Sequence, residues 1–198
     1  MGRSLRTVIA DDDPELCAYC ESLLSALGHL VVGTATDGDE LIRRCRETRP
    51  DLVISDVKMP KKDGIQAVVE VFRESPVRVI LVTGYHAPGH IYHALREMVL
   101  AYLAKPFQRR ELELAIERVD QRFAEFQALF DGGVDPQQAI AHRETLRLAK
   151  GVLMKRQQLG DRAAFRRLQD MARDQGQSLV VVAQSVVDAE RQVPSPDP

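Results

Sequence analysis

The sequence predicts an α/β protein: a five-stranded, parallel, doubly wound sheet followed by a long linker helix and a three-helix, all-α region. Three observations carry that expectation. Apolar runs rich in β-branched residues recur at 5–10 (LRTVIA), 30–33 (LVVG), 52–55 (LVIS), 77–82 (VRVILV) and 100–103 (LAYL), each separated from the next by a segment of helical length. These runs are apolar throughout rather than alternating, which calls for strands covered by helices on both faces, and so for a parallel sheet. After Pro106 the strand signal stops and only helical patterns follow. A length of 198 residues suits one full-sized domain and a smaller second one, at about 100–150 residues per domain.

The first strand has a costly end. "VIADDDPE" (8–15) runs an apolar stretch into three successive aspartates. Neighbouring carboxylates raise one another's pKa unless a positive group compensates, so a cation is expected there. Asp13 reads as the start of a helix, because Asp-Pro-Glu suits a first turn beside the positive end of the helix dipole. In open α/β sheets the functional crevice lies beyond the carboxyl ends of the strands. Asp11 and Asp12 follow the first strand, Asp56 the third, Thr83 the fourth and Lys105 the fifth, which brings them to one sheet edge. Three carboxylates make an oxygen-rich pocket for a hard divalent cation, and Mg²⁺ takes one or two carboxylates together with phosphate and water oxygens. The Lys105 ammonium is the second compensating charge. Singly, each residue has a bland explanation as a helix cap, core filler or turn. Their convergence on one edge is what points to a site.

Past Pro106, Leu112, Ile116, Val119, Phe123, Phe126 and Phe130 step by four and three, the stripe of a helix packed along one seam. Its second half outruns a compact α/β domain and needs a partner, either a second copy of the chain, giving a homodimer through residues 112–130, or the carboxyl-terminal domain. "DGGVDP" (131–136) breaks the helix, and three more are expected near 136–158, 161–174 and 178–190. The domains expected are 1–120, a helical linker and break at 121–135, a helical domain at 136–190, and a disordered tail at 191–198. Gly151, inside a helix at a cost of about 1 kcal/mol, reads as a point of close helix approach.

A net charge of −2 predicts no global attraction to nucleic acid or membrane, but its distribution is uneven. Between Pro136 and Gly176 nine basic residues face four acidic ones, a candidate anion-binding surface. No apolar run reaches the roughly 18–20 residues a bilayer span needs, and no signal-peptide core forms, so the expected location is the cytoplasm. Cys17, Cys20 and Cys45 lack the spacing of a zinc site and read as buried thiols. His86, His90 and His93, in or beside "YHAPGH", read as solvated.

The motifs "VIADDDPE", "LVISDVKMPKKDG", "ILVTG" and "YLAKPF" resemble, in order and spacing, those of the receiver domain of bacterial two-component response regulators, over roughly residues 4 to 120. The resemblance implies a flavodoxin-like sheet and a phosphoacceptor rather than an enzyme acting on a separate substrate. It implies that Asp56 takes a phosphoryl group from a sensor histidine kinase or phosphotransfer protein. Mg²⁺ would be held by Asp12 directly, by Asp11 mostly through water, by Asp56, and by the backbone carbonyl of Lys58. Lys105 would pair with the phosphoryl oxygens ahead of a cis bond to Pro106, and Thr83 and Tyr102 would be the switch pair. The Lys58 side chain is a departure, a second flexible cation near the pocket that either pairs with Asp56 or stabilises the phosphoryl group.

"LAKGVLMKRQQLGDRAAFRRLQDMARDQGQSLVVVAQSVV" resembles the ANTAR output domain, an RNA-binding transcription antitermination module. The matching residues are Ala149, Lys150, Gly151, Leu153 and Met154, then Ala164, Phe165, Leu168 and Ala172, then Leu179, Val182, Ala183 and Val187. That implies binding of structured leader RNA, with Lys150, Lys155, Arg156, Arg162, Arg166, Arg167 and Arg173 as candidate contacts. The alternatives are an output domain that binds protein, or helix-turn-helix DNA binding. In the latter, "SLVVVAQSVVDAE" would be the recognition helix, yet it holds no Lys or Arg to reach bases or phosphates.

Overall fold

The computed structural model describes residues 3–84, 101–130 and 136–191. The three loop histidines, residues 131–135 of the expected break and residues 192–198 of the expected tail lie outside the described residues. In chain order the elements are β1 (Arg6–Ala10), α1 (Pro14–Ala26), β2 (Leu30–Ala35), α2 (Gly38–Thr48), β3 (Leu52–Asp56), α3 (Gly64–Glu74), β4 (Arg78–Thr83) and β5 (Ala101–Ala104). Four longer helical stretches follow: α4 (Arg109–Phe130), α5 (Pro136–Gln157), α6 (Asp161–Gln175) and α7 (Leu179–Arg191).

The five strands form one parallel sheet in the order β2-β1-β3-β4-β5. β3, at its centre, is buried along its whole length, which is why its sequence reads as a continuous apolar run. β2, at an edge, is mixed in character and starts with an exposed Leu30. The register pairs Ala10 with Ser55, Asp56 with Val82 and Thr83 with Ala104, so the chemically active residues beyond β1, β3, β4 and β5 emerge together. Helix starts follow their sequence signals. Asp13, Asp37 and Asp63 each accept hydrogen bonds from backbone amides of the first turn of α1, α2 and α3.

By its internal packing the chain divides into two compact units, residues 1–123 and 124–198. In the second, α5 packs on α6 and α7, and α6 on α7. Ala149, Leu153, Phe165, Leu168, Val182 and Val187 are buried there. Gly176, in the left-handed region at φ 61°, ends α6 and sends its amide back to Ala172 and Arg173.

Of the expected stripe on α4, Leu112, Ile116, Val119, Phe123 and Phe126 are buried, as is Leu129. One expectation about helices changes here. Gly151 is exposed, and a Cβ added there would meet nothing within 4 Å. It does not mark close packing between helices.

Candidate functional site

At the carboxyl edge of the sheet, Asp11, Asp12 and Asp56 each place a carboxylate oxygen within 4.8 Å of the others. Asp11 and Asp56 are buried and Asp12 is exposed, so the cluster opens to solvent on the Asp12 side. Lys105 supplies the compensating cation expected from the sequence. Its Nζ lies 2.7 Å from Asp11 Oδ2 and 3.3 Å from Asp56 Oδ2. Burial pushes the Asp56 carboxyl above its ordinary range; Lys105 opposes that shift and the neighbouring Asp11 adds to it. Burial alone would lower the Lys105 ammonium, but its bonds to Asp11 and its attraction to Asp56 carry it above its usual value.

Each of these side chains is set by local structure. Asp11 Oδ1 accepts from the Asp13 amide at 3.0 Å, and Asp56 Oδ1 accepts from the Val57 amide at 2.8 Å, which fixes both carboxylates at strand ends. The Lys105 amide donates to the Thr83 carbonyl at 2.8 Å, and the Lys105–Pro106 bond is cis, as expected. Thr83 Oγ1 donates to the Gly84 carbonyl at 2.9 Å. Tyr102 is half-buried and packs against the core beneath the site. The Lys58 side chain is exposed and makes no ion pair among the described residues, so Lys105 alone among them neutralises Asp56.

Three further residues shape the site although the sequence reading assigned them no role. Gly64, at the start of α3, donates to the Val57 carbonyl at 3.0 Å. A Cβ on Gly64 would overlap the Asp56 carbonyl oxygen and crowd Ser55 Oγ at 2.6 Å. Lys61, with φ 61°, reaches Asp37 Oδ2 at 2.6 Å. The Lys62 carbonyl accepts from the Gly38 amide at 3.0 Å, and its ammonium pairs with Asp39 at 3.0 Å and Glu70 at 2.9 Å. These contacts tie the loop between β3 and α3 to the start of α2. The signal was present in "KKDG", a double cation and a small residue ahead of a helix, but its partners on α2 are distant in sequence.

The response regulator receiver domain matches residues 7–117 and the ANTAR domain matches residues 135–187. The chain belongs to the response regulators. The transcriptional regulatory protein PdtaR of Mycobacterium tuberculosis is 31% identical over 183 residues, covering 92% of this chain and 89% of that protein. Chemotaxis protein CheY of Thermotoga maritima is 26% identical over 117 residues, covering 59% of this chain and 98% of its own. The crystal structure of a response regulator receiver domain protein from Clostridium thermocellum is similar with a TM-score of 0.55 at 30% identity, over 60% of this chain and 96% of that one.

In this response regulator the candidate RNA contacts of the ANTAR domain divide by environment. Lys150 is buried, and its Nζ is held by Glu125 at 2.6 Å and Asp161 at 2.8 Å. That corrects its expected place on a basic surface, because a charge so enclosed is committed to structure. Arg156 is exposed but makes a charge contact with Glu190 of α7. Arg173 is exposed and pairs with Asp170 at 3.3 Å. Lys155, Arg162, Arg166 and Arg167 are exposed, with no ion pair among the described residues. Burial pushes the Cys20 and Cys45 thiols up to about 12, consistent with inert thiols. Among the described residues no helix is long and apolar enough to cross a membrane.

Proposed function

We propose that the protein is a phosphorylation-controlled RNA-binding regulator in which Asp56 is the phosphoacceptor and structured leader RNA is the ligand, held to promote transcription antitermination. The observation that carries the receiver half is the pairing of two buried carboxylates and one exposed one with a single ammonium. Such a set is underneutralised, and its oxygen donors suit Mg²⁺. Asp11, Asp12, Asp56 and the Lys58 backbone carbonyl would hold the ion. When bound, Mg²⁺ supplies the divalent charge that neutralises phosphoryl oxygens.

Phosphoryl transfer is catalysed largely by position and by charge neutralisation. An Asp56 oxygen forms a bond to phosphorus while the bond from phosphorus to the histidine nitrogen of a kinase or phosphotransfer donor breaks, and that nitrogen regains a proton. Lys105, already bridging Asp11 and Asp56, shifts its ammonium to the new phosphoryl oxygens. The Thr83 hydroxyl exchanges its Gly84 acceptor for the same oxygens, and Tyr102 repacks in response. For the output half, support comes from the ANTAR match and from the exposed cations of α5 and α6.

A small phosphodonor with Mg²⁺ should label the native protein, with the label acid-labile and sensitive to hydroxylamine. Asp56→Asn should abolish it, because an amide is a poor nucleophile. Asp12→Ala should lose most of it, with weak rescue by raised Mg²⁺. Label persisting on Asp56→Asn would overturn the assignment.

A further inference from the structure

We propose that α6 is the phosphate-binding helix of the RNA surface. Arg162, Arg166 and Arg173 each take a backbone phosphate of one RNA strand, and Arg167 stands outside the contact. The proposal rests on the RNA reading above and deepens it by stating which side of the ANTAR domain meets the ligand.

α6 turns Ala164, Phe165, Leu168 and Ala172 into the domain core. In a helix of 3.6 residues per turn, the spacings of four and seven between Arg162, Arg166 and Arg173 keep the three within about 40° of one another, along about 16 Å of helix. All three are exposed. The pair Arg173 makes with Asp170 joins side chains that are 77% and 53% exposed, a contact of little worth in water that a phosphate readily replaces.

Arg167 is placed differently. It lies about 100° or more around the helix from each of the three, and Asp174, seven residues on, follows it within about 20°. A phosphate approaching Arg167 therefore meets a carboxylate on the same line, whereas the carboxylate nearest the other three, Asp170 at about 40° from Arg166, is already engaged by Arg173. The residue type supports the assignment as well. α6 carries four arginines and no lysine, and the guanidinium fork matches phosphate oxygens in a way a lysine does not. The start of the stripe is anchored, because Asp161, next to Arg162, is gripped by the buried Lys150.

Phosphate contacts carry no sequence information, so the test needs no cognate transcript. The probe is a fluorescent synthetic RNA stem-loop with single-stranded flanks, titrated with the full-length phosphorylated protein between about 50 and 200 mM salt. Arg162→Ala, Arg166→Ala and Arg173→Ala should each weaken binding several-fold and reduce the slope of log affinity against log salt by about 0.7–0.9, one phosphate's worth. Arg167→Ala should leave the slope unchanged, and circular dichroism should show all four variants equally helical. If Arg167→Ala flattens the slope as much as the others, the surface is a diffuse field and the stripe is refuted, while RNA binding stands. The same holds if the three stripe variants retain the parent slope. Failure of the parent to bind RNA at any salt overturns the RNA reading itself and the stripe with it. Tighter binding of duplex DNA through the same three arginines overturns RNA as the ligand class.

Discussion

Asp56 is held at a cost. Its carboxyl titrates above the ordinary range chiefly because the strand end buries it, so the folded protein binds that proton more tightly than the unfolded chain does. For an acid shifted upward, stability falls as pH rises from the unfolded value through the folded one, and the ionised form weighs on the fold at neutral pH. Asp56→Asn should therefore raise the melting temperature at pH 7 by about a few degrees, with the gain shrinking as the solution is acidified toward the unfolded carboxyl pKa. Thermal melts of both proteins across that range check the sign, and a destabilised Asn variant at pH 7 would contradict it. Gly64 tests the same site from the backbone side. With the Asp56 carbonyl where its Cβ must go, Gly64→Ala should cost about 1–3 kcal/mol, measured by urea midpoint, and slow labelling by the small phosphodonor as Asp56 is displaced.

The elements of the receiver were legible because each left a local signature. Five buried runs spelled the strands, the Asp residues at 13, 37 and 63 sit where caps are needed, and the rule that parallel sheets act at their carboxyl edge gathered Asp11, Asp12, Asp56, Thr83 and Lys105. Lys150 and Gly151 were not legible for a shared reason. A residue's type does not reveal the angle at which its helix is set into a bundle, and neighbours only about 100° apart separate a buried lysine from an exposed glycine. The β3–α3 loop was missed because the partners of Lys61 and Lys62 are the cap and first turn of α2 and a residue of α3.

Lys150 holds carboxylates from two other helices. It draws together Glu125 of α4 and Asp161 of α6, with the lysine and Glu125 side chains only 9% and 12% exposed. Glu125→Ala should destabilise the helical domain by about 1–3 kcal/mol, less than the full loss of a buried pair because Asp161 remains. Lys150→Met combined with Glu125→Leu should cost less than Glu125→Ala alone. Urea unfolding of the full chain, read on its helical signal, decides whether the coupling exists.

At the scale of the whole molecule, α4 is one uninterrupted helix from Arg109 to Phe130, and the division between the two units falls inside it, after Phe123. Its anchors come in close succession. Arg78 pairs with Asp120 at 2.8 Å and lies over the Phe123 ring at 4.5 Å from its centre, and Glu125 meets Lys150 two residues further on. Residue number along a helix sets phase as well as distance, so it acts as a gear setting. Adding one alanine between Phe123 and Ala124 advances the helical phase by about 100°, whereas adding seven residues brings it back to within about 20°. If phosphorylation reaches the RNA-binding helices along this rod, the single insertion should uncouple RNA affinity from the phosphodonor, and the seven-residue insertion should restore the response despite the greater length. Equal loss in both would show that reach, rather than rotation, is what α4 conveys.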